Sequence, residues 1–115
     1  EGASQGAGMG DRFLRHVERT RLLLHLIDPS PTVEPAAFDR FRIIMKELES
    51  YGADLLHREM FAVITKMDIT ENAEASIALR EQIEAMGLPV YCISAVTGFG
   101  VRDLILAVSE KLRKL

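Results

Sequence analysis

Three short apolar runs, each followed by a stretch of helical periodicity, constrain this chain more than any other feature. The runs are 22–28, 60–65 and 90–94, and they read Leu-Leu-Leu-His-Leu-Ile-Asp, Met-Phe-Ala-Val-Ile-Thr and Val-Tyr-Cys-Ile-Ser. Near-continuous apolar runs of this length, bounded by turn residues, predict strands buried on both faces. The stretches between them have a different period. Over 34–51 the apolar positions Phe38, Phe41, Ile44, Met45, Leu48 and Tyr51 fall three to four apart, with Gly52 at the expected C-terminal cap. A second helix is expected over 71–86, with Thr70 as its N-cap, Leu79, Ile83 and Met86 on its buried stripe, and Gly87 just beyond. A third follows Gly100, with Val101, Leu104, Ile105, Val108 and Leu112 on one face. Its last turn carries Lys111, Arg113 and Lys114, where positive charge suits the helix dipole.

Strand–helix alternation of this kind predicts an α/β domain with three layers, a parallel β-sheet flanked by helices, and right-handed crossovers. No linker or repeat divides the chain. One domain over 1–115 is expected: a flexible glycine-rich loop over 1–10, then an α/β body over 11–115. Asp11 is the candidate N-cap of a short helix to about 19, with Phe13, Leu14 and Val17 on its apolar face. Tryptophan is absent and aromatics are 6%, so the core must be largely aliphatic. The net charge of −3 provides no basic footprint for nucleic acid. One cysteine cannot form an internal disulfide or a cysteine zinc cage, which fits a reducing, cytoplasmic setting. No apolar run is long enough to span a bilayer, and the N-terminal residues lack the apolar stretch of a signal peptide.

In open parallel sheets, ligands bind beyond the carboxyl ends of the strands. The segments there are 28–30, 65–68 and 94–98. The second places a cation, Lys66, two residues from a carboxylate, Asp68. The third ends a strand with small residues, Ser94 and Ala95, which leave room for a flat ligand and a free backbone N–H. Thr65-Lys66-Met67-Asp68 resembles the guanine-specificity motif of GTPases, usually Asn-Lys-x-Asp. Ser94-Ala95-Val96, beginning 26 residues after Asp68, resembles the companion Ser-Ala motif. The resemblance implies that Asp68 accepts hydrogen bonds from guanine N1–H and the exocyclic amine. It further implies that the Lys66 stem lies over the purine face and that the Ala95 N–H meets O6. Adenine presents the opposite pattern and would leave Asp68 repelled.

The N-terminal residues narrow the family. Glu1-Gly2-Ala3, followed by Gly6-x-Gly8-Met9-Gly10-Asp11-Arg12-Phe13-Leu14-Arg15-His16-Val17-Glu18-Arg19-Thr20-Arg21, is similar to the segment after switch II in the Obg family of bacterial GTPases. This resemblance covers the whole chain. It implies the C-terminal part of a P-loop (Ras-like) G domain without its first strands. It also implies binding of GTP and GDP, hydrolysis with Mg2+ in the intact protein, and work on the large ribosomal subunit and in stress signalling. Two departures matter. Thr65 stands where the family has asparagine, so weaker bracing of the base loop against the P-loop is expected. The chain also contains no G-x-x-x-x-G-K-[ST] and no Asp-x-x-Gly, so the phosphate cradle and the Mg2+ ligands are missing. No catalytic or metal-ligating residue is assigned, and the chain by itself is expected to be inactive. Its partners are then guanine nucleotide and the N-terminal half of the G domain, with no membrane. Strand 22–27 becomes an apolar sheet edge open to self-association. The alternative is a non-catalytic, receiver-like protein-binding module, which would need an acidic cluster after its first strand and a phospho-accepting aspartate after its third; Asp28 is the lone candidate, which argues against it.

Other residues read as structure. His16, His25 and His57 are too scattered for a metal site. Cys92 is expected to be a small buried side chain. The arginines between Arg12 and Arg21 fit a solvated helix face. Asp28-Pro29-Ser30 reads as a turn.

Overall fold

The computed structural model describes residues 21–51 and 58–115. The glycine-rich loop, the expected helix at 11–19, His16, His57 and the Gly52 cap lie outside the described residues. Six elements follow in order: β1 (Leu22–Ile27), α1 (Ala37–Tyr51), β2 (Glu59–Ile64), α2 (Thr70–Glu84), β3 (Val90–Cys92) and α3 (Val101–Lys114). The strands form one parallel sheet in the order β1-β2-β3. Leu22 lies opposite Glu59 and Ile27 opposite Ile64, while Ala62 and Ile64 face Val90 and Cys92. The α/β reading with a parallel sheet therefore holds.

Period-two alternation along β2 builds both faces. Ala62 and Ile64 join Ile27, Phe41, Leu79, Ile83 and Val90 in a cluster beneath α1 and α2. Phe61 and Val63 point the other way and pack with Leu104 of α3. Leu48 and Met60 close the amino end of the first face. Residues Phe61 to Ile64 are all buried, as expected for a central strand covered on both sides. His25 of β1 stacks on Phe41, ring centroids 4.7 Å apart, and Phe41 on Phe38 at 6.1 Å. Lys111 also reaches across the sheet's amino end to Glu59, 2.7 Å away.

The element ends differ from the sequence expectations in instructive ways. α1 starts at Ala37 rather than 34, because prolines at 29, 31 and 35 hold the preceding segment in turns; Arg40 N–H to Ala36 O (2.9 Å) closes the first helical turn. β2 runs one residue earlier than expected, from Glu59 to Ile64. β3 ends at Cys92, since the Ser94 N–H turns to Phe99 O (2.9 Å). α2 ends at Glu84, followed by a turn to Gly87 at φ 90°. The N-cap of α2 is Ile69, not Thr70, which is already helical. Ile69 has no capping side chain, and its carbonyl instead accepts the amides of Asn72 (2.9 Å) and Ala73 (3.3 Å).

β1 is the edge of the described sheet, and its Leu24 and Leu26 are 41% and 61% exposed. No helix among the described residues is long and apolar enough to cross a membrane.

Candidate functional site

The loops after β1, β2 and β3 meet at one end of the sheet, and residues 65–69 are tied to both neighbours. Thr65 donates twice to the Ile27 carbonyl at the end of β1, from its N–H (2.9 Å) and its hydroxyl (3.3 Å). The Met67 N–H bonds Ile93 O (3.1 Å), and the half-buried Met67 side chain packs against the main core. Between them Lys66 adopts φ 59°, the left-handed region that a non-glycine residue enters only when its surroundings impose it. Its carbonyl accepts the Ile69 N–H (3.2 Å) and the Asn72 side-chain amide (3.1 Å).

Asp68 is exposed, yet its geometry is set: the hydroxyl of fully buried Ser94 donates to Asp68 Oδ1 at 2.8 Å. Ser94 Oγ also accepts the Thr97 N–H (3.1 Å), and the Ser94 carbonyl accepts the Gly98 N–H (2.8 Å). The next two backbone N–H groups, those of Ala95 and Val96, make no hydrogen bond among the described residues, and both residues are exposed. This turn depends on Gly100. At φ 71°, a Cβ there would stand 2.2 Å from the Cys92 carbonyl oxygen.

The Lys66 ammonium lies 3.0 Å from Asp28 Oδ2, and Asp28 Oδ1 accepts the Ser30 N–H at 2.9 Å. The Ser30 hydrogen bond, then the lysine, hold the Asp28 carboxyl below its usual range. The stabilisation this brings is present at neutral pH and is lost as pH falls through that depressed pKa. Arg40 of α1 anchors the same turn by donating to the Asp28 carbonyl at 2.7 Å.

The structure thus brings Thr65, Lys66, Met67, Asp68, Ser94, Ala95 and Val96 to one end of the sheet. Sequence reasoning missed two residues there. Asp28 is a turn residue, as read, but it also holds Lys66; its position at the end of β1 was the available signal. Asn72 lies inside α2 and carried no signal. Cys92 is half-buried and burial pushes its thiol up, as suits an inert side chain. Among the described residues no group of three or more histidine, cysteine or acidic side chains could hold a metal ion. The described residues of this end do not fit a divalent cation. The arrangement presents an exposed carboxylate oriented by Ser94, near two backbone N–H groups without partners among the described residues.

No family model matches the chain. It is similar to curated proteins called GTPase Obg. That of Syntrophotalea carbinolica is 44% identical over 115 residues, which is 100% of this chain and 32% of the relative. The Listeria welshimeri protein is 44% identical over 112 residues, covering 97% of this chain and 26% of the relative. The Oceanobacillus iheyensis protein is 41% identical over 115 residues, covering 100% and 27%. The chain therefore spans a third or less of the length of these relatives.

Proposed function

Because the chain belongs to the Obg family, we propose that its strand-end loops form the guanine-reading part of a GTPase domain. One observation carries this reading: the Ser94 Oγ to Asp68 Oδ1 hydrogen bond, which joins two motifs 26 residues apart into one acceptor surface. Asp68 receives N1–H and the 2-amino group of guanine, and the Ala95 N–H donates to O6. Adenine offers an acceptor at N1 and a donor at C6, so it meets like groups on both sides. Lys66, its ammonium held by Asp28, lays its methylenes along the purine face.

The intact protein would hydrolyse GTP to GDP in the cytoplasm, on a G domain whose other half supplies the phosphate and Mg2+ contacts. That half would cover the β1 edge, and the exposed Leu24 and Leu26 support this reading. Where it is missing, the same edge would pair with a second copy of the chain. Family resemblance extends the proposal to the large ribosomal subunit and to stress signalling. A receiver-like module would need an acidic cluster around Asp28, and the described residues form no such group.

The test is an NMR titration of the chain with GDP, GTP and ATP, using Asp68→Ala as control. With phosphate contacts absent, binding near 1 mM is expected, about −4 kcal/mol. Shifts at residues 66, 68 and 95 with guanine nucleotides only, lost in the variant, support the reading. Equal responses to ATP and GDP, or none from a folded sample, overturn it.

A further inference from the structure

Asn72 is out of place by ordinary rules. It lies in the first turn of α2, is 1% exposed, and is among the largest fully buried side chains. Asparagine is mostly a surface residue, and burying its amide is unfavourable unless the amide is hydrogen-bonded. Its side-chain N–H donates to the Lys66 carbonyl, six residues earlier. Lys66 is the one non-glycine residue with positive φ among the described residues. A buried donor is therefore aimed at the carbonyl of the strained residue.

That strain has a geometric consequence. The left-handed turn at Lys66 sends Met67 into the core and its N–H to Ile93, and it brings Asp68 to Ser94. The base loop is thereby clamped from two sides, by Ser94 from the end of β3 and by Asn72 from α2. Ser94 holds one oxygen of Asp68. Asn72 holds the Lys66 carbonyl, two residues before Asp68.

We propose that Asn72 is a positioning residue for base specificity: through the Lys66 carbonyl it sets the angle of the Asp68 carboxylate, and with it the discrimination of the guanine 2-amino group. This rests on the base-site reading above. Asn72 does not touch the base. Two donors on one carboxylate demand a particular carboxylate plane, whereas one donor tolerates rotation.

Inosine diphosphate is the discriminating probe, since hypoxanthine keeps N1–H and O6 but lacks the 2-amine. GDP and IDP affinities are measured by NMR for the wild-type chain, Asn72→Ala and Asn72→Leu, the last keeping the buried volume filled. Loss of one hydrogen bond behind the loop is expected to weaken GDP about fivefold and IDP less than twofold. The GDP-over-IDP preference then falls about threefold. Equal weakening of both ligands would mark Asn72 as merely structural and overturn the proposal while leaving the base site intact. A wild-type chain without guanine preference sinks the base-site reading and the proposal together. A wild-type measurement needs no variant: the Asn72 side-chain amide resonances are expected to shift on GDP addition and to shift less with IDP. If GDP shifts Asp68 and leaves the Asn72 amide unmoved, the proposal fails.

Discussion

The carboxyl end of β2 and the outer edge of β1 belong to one sheet but are built on opposite terms. At the end of β2, the backbone N–H groups of Thr65, Met67 and Ile69, the Lys66 carbonyl and the Lys66 and Asp68 side chains each have a partner. These partners come from β1 and the turn after it, from α2, from the loop after β3 and from residues 65–69 themselves. At the β1 edge, Leu24 and Leu26 are exposed, and His25 Nδ1 is buried with no hydrogen-bond partner among the described residues. In the neighbouring turn of the bonded end, the Ala95 and Val96 N–H groups lack a partner among the described residues. Among the described residues this edge is apolar and holds a buried polar atom without a partner. A strand-end loop can therefore be held in shape locally while a neighbouring strand of the described sheet stays exposed.

Three experiments would break or sharpen that contrast. The largest effect is expected at the bonded end. Gly100→Ala puts a methyl group against the Cys92 carbonyl in a left-handed backbone, and destabilisation on the order of 4 kcal/mol is expected from chemical denaturation. A variant within 1 kcal/mol of wild type, as a rough threshold, would show that the 94–100 turn relaxes freely and is no rigid clamp.

The second experiment acidifies the edge. Burial pushes the His25 pKa from 6.5 down to about 4. Between those values the unfolded chain binds a proton that the folded chain refuses, so stability falls as pH drops through that window. The full drop is about 3 kcal/mol. Thermal melts across pH 7 to 4 are expected to show this slope in the wild type and a shallower one in His25→Leu. Identical slopes would assign the acid sensitivity to other groups.

The smallest effect on stability, and the most direct test of the edge, comes from Leu26→Lys. At 61% exposure the substitution is expected to leave folding stability within about 0.5 kcal/mol of wild type. A charge on the edge opposes strand pairing, so self-association measured by sedimentation is expected to weaken about tenfold. A wild-type chain that stays monomeric at millimolar concentration contradicts self-pairing through β1.

How much of this was legible beforehand depended on whether a signal was local. The run Phe61-Ala62-Val63-Ile64 announced a strand buried on both faces because no residue in it tolerates water. The spacing of Phe38, Phe41, Met45 and Leu48 announced α1 because helical period is a property of neighbouring residues. The placement of Lys66, Asp68, Ser94 and Ala95 at one end of the sheet was legible because their segments follow predicted strands. Thr70 misled, since a good capping residue is only a propensity and the loop geometry moved the cap to Ile69.

The sequence by itself determined the order of elements, the parallel α/β class and the residues placed at the carboxyl end of the sheet. Those depend on period and composition, which act over a few residues. Only the tertiary structure decided that Ser94 orients Asp68, that Asp28 holds Lys66 and that Asn72 grips the Lys66 carbonyl. Hydrogen bonds between groups 26 and 38 residues apart, and a buried amide turned back on its own loop, depend on where the sheet places three strand ends in space. The order of residues along the chain does not encode that placement locally.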